Sequence, residues 1–531
     1  MAIAAPLLAT LETRLRRVLD AGLGGLLRQG LLGLEKECLR VAEDGGIAQT
    51  AHPVLLGSAL THPYLTTDFS EALLEFVTPP LTDRRALLDF LTDCHRFVYE
   101  HLDEEILWAG SMPCRLQGPD SVPIARYGSS NPGRMKTLYR QGLALRYGRT
   151  MQCIAGIHCN YSLPTGWWQP FQDLEGNRER LQLFVADRYL GMIRNLQRVG
   201  WLIPYLFGAS PAVSGSFLEG RPTDLQRLNG DTFYYPYATS LRMGDIGYQN
   251  SQEEGQGFRA NYDSLDSYLR SITWAMETSC PDYEQIGVRV NGEYRQLNAN
   301  VLQIENEHYS SVRPKQPPEW LEKPSLALWR RGVAYVELRS LDLNPYVPVG
   351  IAEEQLHFVE VFLLFCLLAD SPRIPASEAR AINRNQILTA HRGREPGLEL
   401  YWQGGARPLR ELAQETLTAM MPLAQVLDGD NPERPYRRVI QDQLEVAAHP
   451  ELTPSARLLE QMGADGSEFL SLVGGLSELH RRYFMARRLI GERRDLLEKT
   501  VRESWERQVH LEREDQRPFD QFLDEYFSQS R

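Results

Sequence analysis

The feature that most constrains the fold of this chain is a set of short segments in which acidic side chains alternate with apolar ones. In Leu34–Val41, Glu35 and Glu37 are two residues apart, and on a β-strand that spacing directs both side chains to the same face. Two carboxylates about 5 Å apart repel each other by roughly 3 kcal/mol at an effective dielectric constant of about 20. The pair therefore indicates either an enclosed face with a metal or basic partner, or a strand that faces solvent.

Two further segments repeat this alternation. Glu75 interrupts an otherwise apolar strand candidate, and Asp68 lies in the turn that leads into it. Glu337 and Arg339 share one face of another candidate, whose opposite face is apolar. An exposed intrastrand ion pair, which stabilises a fold by less than about 1 kcal/mol, would explain this spacing equally well. The alternation predicts polar strand faces that carry both acids and a guanidinium group.

A histidine occupies a third polar face. His158, Asn160 and Ser162 alternate with apolar residues, although a lone histidine in such a strand is more often a hydrogen-bonded core residue than a ligand. If the polar faces line one cavity, the ligands are mainly oxygen with one imidazole, which suits Mg²⁺ or Mn²⁺ better than Zn²⁺. Such ions usually accompany phosphates. Because the chain has no Gly-x-x-x-x-Gly-Lys-Ser/Thr loop, metals and arginines would have to hold the phosphates.

The order of strand-like and helix-like segments predicts an α+β fold. Period-2 and period-3.6 hydrophobic patterns are intermingled, and the apolar strand faces indicate a sheet with helices on its outer side. The predicted strands are Leu34–Val41, Leu73–Thr78, Ile154–Ser162, Gln296–Glu305 and Ala334–Leu341. The predicted helices are Leu87–Leu102, Arg178–Val199, Leu265–Thr278, Glu353–Asp370 and much of the chain after Ala456.

The domain organisation is predicted from where the motifs lie. Residues 1–372 are expected to form a catalytic α+β body, and residues 373–531 a mostly helical C-terminal region packed on it. The proline-rich stretch Arg313–Pro324 is interpreted as a surface excursion. Charged residues in Arg481–Arg531 recur at helical spacing beside apolar ones, which is typical of a solvated helix face over a packed stripe.

Composition and charge exclude several classes of protein. The 531 residues carry 57 basic and 69 acidic side chains, and the net charge of −12 argues against nucleic acid or an anionic membrane as the main partner. The longest apolar run, Val361–Ala369, is far shorter than the roughly 20 residues that span a bilayer, and the N-terminus has no signal-peptide pattern. Seven dispersed cysteines without a Cys-x-x-Cys pair fit a reducing cytoplasm rather than a disulfide framework. We expect a cytoplasmic protein that acts on a small molecule.

Several motifs, taken together and in this order, resemble the bacterial glutamate–cysteine ligase family of the proteobacterial type. They extend from about Leu31 to about Asp370, and no diagnostic motif follows Pro372. The motifs are Gly33–Glu37, Thr67–Phe69, Leu74–Phe76, Tyr127–Asn131, Lys136–Arg140, Pro204–Pro211, Tyr237–Arg242, Asn300–Glu307 and Tyr335–Pro345.

The resemblance implies a fold and a reaction. The family fold is related to that of glutamine synthetase, with a curved antiparallel sheet that holds its ligands on the concave face and helices on the convex face. The reaction joins the γ-carboxylate of L-glutamate to the amine of L-cysteine through a γ-glutamyl phosphate, as the first step of glutathione biosynthesis. ATP would be a co-substrate, with two or three Mg²⁺ ions that Mn²⁺ could replace. The oligomeric state stays open, and a monomer is compatible with the sequence.

The resemblance also assigns roles to residues of this chain. Arg339, together with Glu337, would act on the phosphoryl group in flight, and Arg242 would bind the glutamate α-carboxylate with both arms of its guanidinium group. The magnesium ligands would be Glu35, Glu37, Asp68, Glu75, His158 and Glu337. The cysteine pocket would be formed by Tyr139, Tyr248 and Tyr309 with Phe69, Arg140 and Leu143. Without the resemblance, these tyrosines would be interpreted as packing residues.

Three other functions remain open on the sequence. A phosphagen-type kinase shares the related fold and would transfer phosphate to a guanidinium group without forming an amide. A γ-glutamyl ligase for another amine would differ only in a few pocket residues. A non-catalytic metal-binding protein is disfavoured, because Arg242 and Arg339 are both present with the acids. Lys36 lies on the strand face opposite Glu35 and Glu37, and is therefore predicted to be structural.

Overall fold

A seven-stranded antiparallel sheet organises the computed structural model, which describes residues 5–247 and 258–530. Its strands follow one another in the order β6–β7–β5–β1–β3–β2, and β4 pairs with the end of β1. The strands are β1 (Leu31–Val41), β2 (Leu65–Thr67), β3 (Leu73–Val77), β4 (Ile106–Leu107), β5 (Ile157–Ser162), β6 (Val312–Lys315) and β7 (Tyr335–Leu341). Further short strands pair outside this sheet: Ala212–Ser214, Gln226–Arg227, Thr232–Tyr234, Arg289–Val290, Glu293–Tyr294, Glu399–Trp402 and Gly405–Pro408.

Helices make up most of the remaining structure. Those of eight or more residues are α1 (Ala5–Asp20), α2 (Arg84–Tyr99), α3 (Asn131–Tyr147), α4 (Thr165–Leu174), α5 (Leu181–Val199), α6 (Leu265–Glu277), α7 (Pro324–Arg331), α8 (Glu353–Leu368), α9 (Ala376–Arg392), α10 (Leu409–Asp428), α11 (Pro435–Ala448), α12 (Pro454–Asp465), α13 (Phe469–Met485), α14 (Glu492–Glu514) and α15 (Phe519–Ser528). In the part of the chain that the structure describes, none of these has the length and apolarity required to cross a membrane.

The two faces of the sheet differ as the alternation predicts. Helices α2 and α5 pack on one face, and α8 packs on both of them. Residues that point to this helix face, including Leu34, Ile157 and Val336, are fully buried. Lys36 also points there, where its Nζ lies 2.7 Å from Nε2 of His95 on α2. The helix face is therefore mainly apolar, and Lys36 lies on the face opposite Glu35 and Glu37, as predicted.

Helix α8 is apolar on all sides because it is covered on all sides. It packs on α2 and α5 toward the sheet and on α10 and α11 toward the C-terminal region. Such an all-round apolar composition is typical of a fully buried helix. One continuous apolar core extends from Leu11 to Leu497, so helices α10–α14 share the core of the body, whereas α15 packs in a smaller cluster with Met135 and Leu138 of α3. The division at residue 372 stays a prediction.

Two predictions about local structure are wrong. Gln296–Glu305 is not a strand: its amide side chains bond to nearby backbone groups, as where Asn298 Nδ2 donates to Gln303 O at 2.9 Å and Gln303 Oε1 accepts from Leu297 N at 3.0 Å. Such local bonds compete with a strand ladder. The stretch that begins at Arg313 is not a surface excursion throughout, because Val312–Lys315 forms β6 at the sheet edge, where a proline is tolerated.

Candidate active site

A cavity of about 1230 Å³ lies over the polar face of the sheet. Strands β1, β3, β5 and β7 contribute acidic, basic and imidazole side chains to it, and α3 contributes a wall. Every predicted site residue that the structure describes lines this cavity: Glu35, Glu37, Asp68, Phe69, Glu75, Tyr139, Arg140, Leu143, His158, Arg242, Tyr309, Glu337 and Arg339. Tyr248 lies outside the described residues. The strand pairing thus brings together residues that are far apart in the sequence.

His158 lies at the centre of three carboxylates. Its Nδ1 is 3.2 Å from Glu35 Oε2 and 3.9 Å from Glu337 Oε1, and its Nε2 is 3.6 Å from Glu37 Oε1. The register explains this, because Glu35 pairs with His158 across β1 and β5, and Glu337 pairs with Asn160 across β7 and β5. One ligand atom from each of Glu35, His158 and Glu337 lies within 4.8 Å of the others. This spacing suits one shared cation.

A second acidic group lies on the other side of Glu37. Glu75 pairs with Glu37 across β1 and β3, and Asp68 lines the cavity beside them. Burial raises the pKa of Glu75 well above its usual range, and the charges of Glu35 and Asp68 raise it further. Burial also raises the pKa of Glu37. The positively charged side chains near Glu37 and Glu75 therefore do not offset the effect of burial on the pKa values of these two carboxyl groups.

Basic side chains lie at two edges of the acidic group. Arg339 Nη1 is 3.3 Å and Lys315 Nζ 3.4 Å from Glu337 Oε1. Burial raises the pKa of Glu337, but the charges of Lys315 and Arg339, with those of His158 and Arg313, outweigh burial and hold the pKa below its usual range. Lys136 faces Glu75 from α3, and burial and the charge of Arg140 lower the pKa of Lys136 to about 8. Positive charge is thus strongest around Glu337 and weaker around Glu75.

The cavity fits a hard divalent cation. Glu337 Oε2 is buried, and it has no hydrogen-bond partner among the described residues. Glu35 accepts only side-chain bonds, from Asn160 Nδ2 at 2.8 Å and His158 Nδ1 at 3.2 Å, among its described contacts. Carboxylate oxygens with one imidazole are donors that Mg²⁺ and Mn²⁺ accept. Cations between these groups would relieve the repulsion that raises the pKa of Glu75.

Arg242 is held in place by its backbone and carboxylate neighbours. Its Nη2 donates to the carbonyl of Arg339 at 2.6 Å, and its Nη1 is 3.7 Å from Asp342 Oδ1. Asp342 is itself fixed by Ser210, whose Oγ donates to it at 2.7 Å. A Cβ at Gly156 would lie 2.1 Å from Arg242 Nη2, so only glycine leaves room for the guanidinium group. The arginine is preorganised at the cavity wall.

An aromatic and apolar pocket adjoins the acidic group. Tyr139, Arg140 and Leu143 project from neighbouring turns of α3, and Phe69 is 1% exposed. Arg140 donates from Nε to the carbonyl of Asp68, which ties α3 to the acidic group. Tyr309 closes the pocket from another segment, and its hydroxyl donates to Gln152 Oε1 at 2.9 Å.

Several cavity residues are missing from the sequence-based prediction. Lys315 and Arg313 lie on β6, which the proline-rich composition concealed. Lys136 lies one turn before Tyr139 and Arg140 on α3, a helical spacing that could have indicated it. Tyr526 and Arg384 reach the cavity from the C-terminal region, and only the tertiary structure reveals them.

Comparison with known proteins decides the family. The family model described as "Glutamate-cysteine ligase" matches residues 15–388. The chain belongs to the glutamate–cysteine ligase family. It is 44% identical over 522 residues to a glutamate–cysteine ligase of Alcanivorax borkumensis, covering 97% of this chain and 99% of the relative. The corresponding enzyme of Azotobacter vinelandii is 47% identical over 504 residues, covering 94% and 95%.

Two solved structures have a similar fold. The Francisella tularensis enzyme in complex with AMP superposes with a TM-score of 0.87 at 32% identity, covering 94% of this chain and 97% of that one. A bifunctional glutathione synthetase of Pasteurella multocida gives a TM-score of 0.70 at 25% identity, covering 90% of this chain and 55% of that one. The predicted family and the α+β class with an antiparallel sheet are confirmed.

Proposed function

We propose that this glutamate–cysteine ligase family member joins the γ-carboxylate of L-glutamate to the amine of L-cysteine, with ATP as co-substrate. The products are γ-glutamylcysteine, ADP and phosphate, and the reaction is the first step of glutathione biosynthesis in the cytoplasm. One observation carries the proposal: the acidic group around His158, the preorganised Arg242 and the aromatic pocket of Tyr139 line one cavity. They supply a site for phosphoryl transfer, a carboxylate clamp and a place for a second amino acid.

The proposal includes two or three Mg²⁺ ions, with Mn²⁺ as a possible substitute. When bound, such ions would offset negative charge on the phosphoryl oxygens. The residues proposed to hold them are Glu35, Glu37, Asp68, Glu75, His158 and Glu337. The buried oxygen of Glu337 that lacks a described partner supports this assignment, as does the raised pKa of Glu75.

The first proposed step activates glutamate. A γ-carboxylate oxygen attacks the γ-phosphorus of ATP, the bond from that phosphorus to the ADP oxygen breaks, and γ-glutamyl phosphate forms. Arg242 would hold the α-carboxylate, because a planar guanidinium group offers two parallel donors. Arg339 would offset charge on the transferring group, since Glu337 and the other nearby carboxylates raise its pKa against the effect of burial and keep it protonated.

The second proposed step forms the amide. The cysteine nitrogen attacks the activated carbonyl carbon, loses a proton, and displaces phosphate, which takes the bridging oxygen with it. Phe69 and Leu143 are buried, and together with Tyr139 and Tyr309 they would hold the thiol side chain in a largely dry pocket. Exclusion of water matters because water would hydrolyse the acyl phosphate.

One experiment tests the whole proposal. The purified protein is incubated with ATP, Mg²⁺, L-glutamate labelled with oxygen-18 in the γ-carboxylate, and a panel of amines including L-cysteine. Mass spectrometry should detect γ-glutamylcysteine and one labelled oxygen in the released phosphate. ADP without an amide would favour a kinase, and an amide formed only with another amine would reassign the second substrate. Released phosphate without labelled oxygen would contradict the formation of γ-glutamyl phosphate.

A further inference from the structure

A buried ion pair lies behind the wall of the cavity. Arg146 Nη1, near the end of α3, is 2.8 Å from Glu307 Oε1, and neither side chain has any exposed surface. Glu307 also accepts from the hydroxyl of Tyr147 at 3.0 Å and from the backbone N–H of Gln303 at 2.7 Å. Burying two charges is expensive, and apolar residues of similar volume often stabilise a fold at least as well. Stability alone therefore does not account for this pair.

The ion pair joins two segments that share no strand or helix. Arg146 belongs to α3, and its Nε donates to Gln296 Oε1 at 2.9 Å and its Nη2 to the carbonyl of Asn298 at 2.7 Å. Glu307 ends the short 3₁₀-helix Glu305–Glu307, within the segment 296–309. The contacts of Arg146 and Glu307 together hold α3 and this segment against each other, and this group of contacts is called the clamp below.

Each segment carries part of the aromatic pocket. Tyr139 and Leu143 lie on α3, whereas Tyr309 lies two residues after Glu307. Further contacts connect the clamp to the pocket itself: Gln303 Nε2 donates to the carbonyl of Tyr139 at 3.2 Å, and the ring of Tyr147 meets that of Tyr309 edge-on at 5.8 Å. The two segments approach so closely that a Cβ at Gly142 would lie 2.1 Å from Gln303 Oε1. A shift of the clamp would change the width of the pocket.

We propose that Glu307, through its ion pair with Arg146, is a positioning residue that sets the width of the pocket for the amine substrate and so its preference for cysteine. This inference rests on the proposed function, because it takes the pocket of Tyr139, Leu143 and Tyr309 as the cysteine site. A displacement of about 1 Å at a substrate-positioning group can reduce a rate by two orders of magnitude, so a loosened clamp should be measurable.

A second buried ion pair supplies a matched control. Arg84 Nη2 is 2.6 Å from Glu360 Oε1, and the two side chains are 3% and 1% exposed. This pair joins α2 and α8 on the helix face of the sheet, and Glu360 also accepts from the hydroxyl of Tyr436 at 2.6 Å. Glu360→Gln therefore disrupts a buried ion pair of similar kind, away from the pocket.

The experiment compares Glu307→Gln and Glu360→Gln with the wild-type enzyme. Michaelis constants are measured for cysteine, glutamate and ATP, together with kcat/KM for cysteine and for L-2-aminobutyrate, which lacks the thiol. We expect Glu307→Gln to raise the KM for cysteine by about tenfold and to leave the KM values for glutamate and ATP within about twofold of wild type. The ratio of kcat/KM for cysteine to that for L-2-aminobutyrate should fall. Glu360→Gln should lower the Tm but leave all three constants near the wild-type values.

A milder variant covers the case in which Glu307→Gln does not fold. Tyr147→Phe removes one hydrogen bond to Glu307 but keeps the ion pair, and should raise the KM for cysteine by about twofold to threefold. An unchanged cysteine KM in either soluble variant, or an equal rise for all three substrates, would overturn the inference. A wild-type protein that forms no γ-glutamylcysteine would instead refute the proposed function.

Discussion

Glu37 and Glu75 lie directly opposite each other on neighbouring antiparallel strands, and both side chains line the cavity. In an antiparallel pair, opposite residues have Cβ atoms about 5 Å apart, and like charges there are destabilising. Burial raises the pKa of both carboxyl groups. A cation between the two carboxylates would compensate for their repulsion and burial. The first two predictions test this expectation.

Glu75→Gln should reduce turnover by about 10-fold to 100-fold and raise the Mg²⁺ concentration needed for half-maximal rate, because an amide is a weaker metal ligand. The measurement is initial rate against Mg²⁺ concentration at saturating substrates. Glu71→Gln is the control, since Glu71 bonds to the backbone N–H groups of His52 and Arg126 outside the cavity. A variant with wild-type rates at limiting Mg²⁺ would remove Glu75 from the metal site.

Glu75 should destabilise the metal-free protein more strongly as the pH rises from 5 to 8. The raised pKa values of Glu37 and Glu75 mean that these two groups bind their protons more tightly in the folded state than in the unfolded chain above pH 4.5. Glu35 and Glu337 have lowered pKa values, so their contribution changes only below that range. Buried histidines such as His308 have lowered pKa values and act in the opposite sense, so the effect of Glu75 is measured against Glu75→Gln. We expect the Tm of this variant to rise by about 2 °C or more relative to that of the wild type across this range.

Bound Mg²⁺ should offset the destabilising effect of Glu75. Mg²⁺ should raise the Tm more at pH 8 than at pH 5, because ligands must lose their protons before they bind a metal. The stabilisation by Mg²⁺ should depend less on pH in Glu75→Gln, which lacks the group with the strongly raised pKa. Differential scanning calorimetry across this pH range checks both outcomes, and a Tm difference between wild type and Glu75→Gln that does not change with pH would contradict the raised pKa of Glu75.

Gly156→Ala should weaken glutamate binding without removing any functional group. The new Cβ would lie 2.1 Å from Nη2 and 2.5 Å from Cζ of Arg242, which must move aside. We expect the KM for glutamate to rise by about 10-fold or more, as for Arg242→Lys, which cannot reproduce a bidentate clamp, while the KM for ATP stays unchanged. Gly463→Ala, with no atom within 4 Å of its Cβ, is the control. Unchanged glutamate kinetics would exclude Arg242 from the glutamate site.

Phe522→Ala should loosen the contact between α15 and α3 beside the cavity. Phe522 is 2% exposed in a cluster with Met135 and Leu138 of α3, and its loss should destabilise that contact by about 3–5 kcal/mol. Hydrogen exchange of residues 131–147 should become faster and activity should fall, because the same helix carries Tyr139. Leu479→Ala, at a site that is 56% exposed, should change neither. Unaltered exchange in α3 would show that α15 does not support the helix.

The extent of sequence-based prediction follows from how local each signal is. Successive side chains of a strand point to opposite faces. A spacing of two residues therefore predicts, without knowledge of the fold, that Glu35 shares a face with Glu37 and Glu337 with Arg339. The predicted strand Gln296–Glu305 is wrong because side-chain amides there bond across a loop, and the local hydrophobic pattern does not reveal such bonds. Lys315 was missed because proline content does not distinguish an edge strand from a surface loop.

The sequence by itself determined which side chains share a strand face, the α+β class and, through its motifs, the family. Only the tertiary structure decided that Glu37 faces Glu75 and that Glu35 faces His158, since strand pairing joins residues with no local relationship. It also decided that the Glu307–Arg146 pair lies behind the pocket. Spacing along the chain specifies the face to which a side chain points, whereas the distance between two segments depends on how the whole core packs.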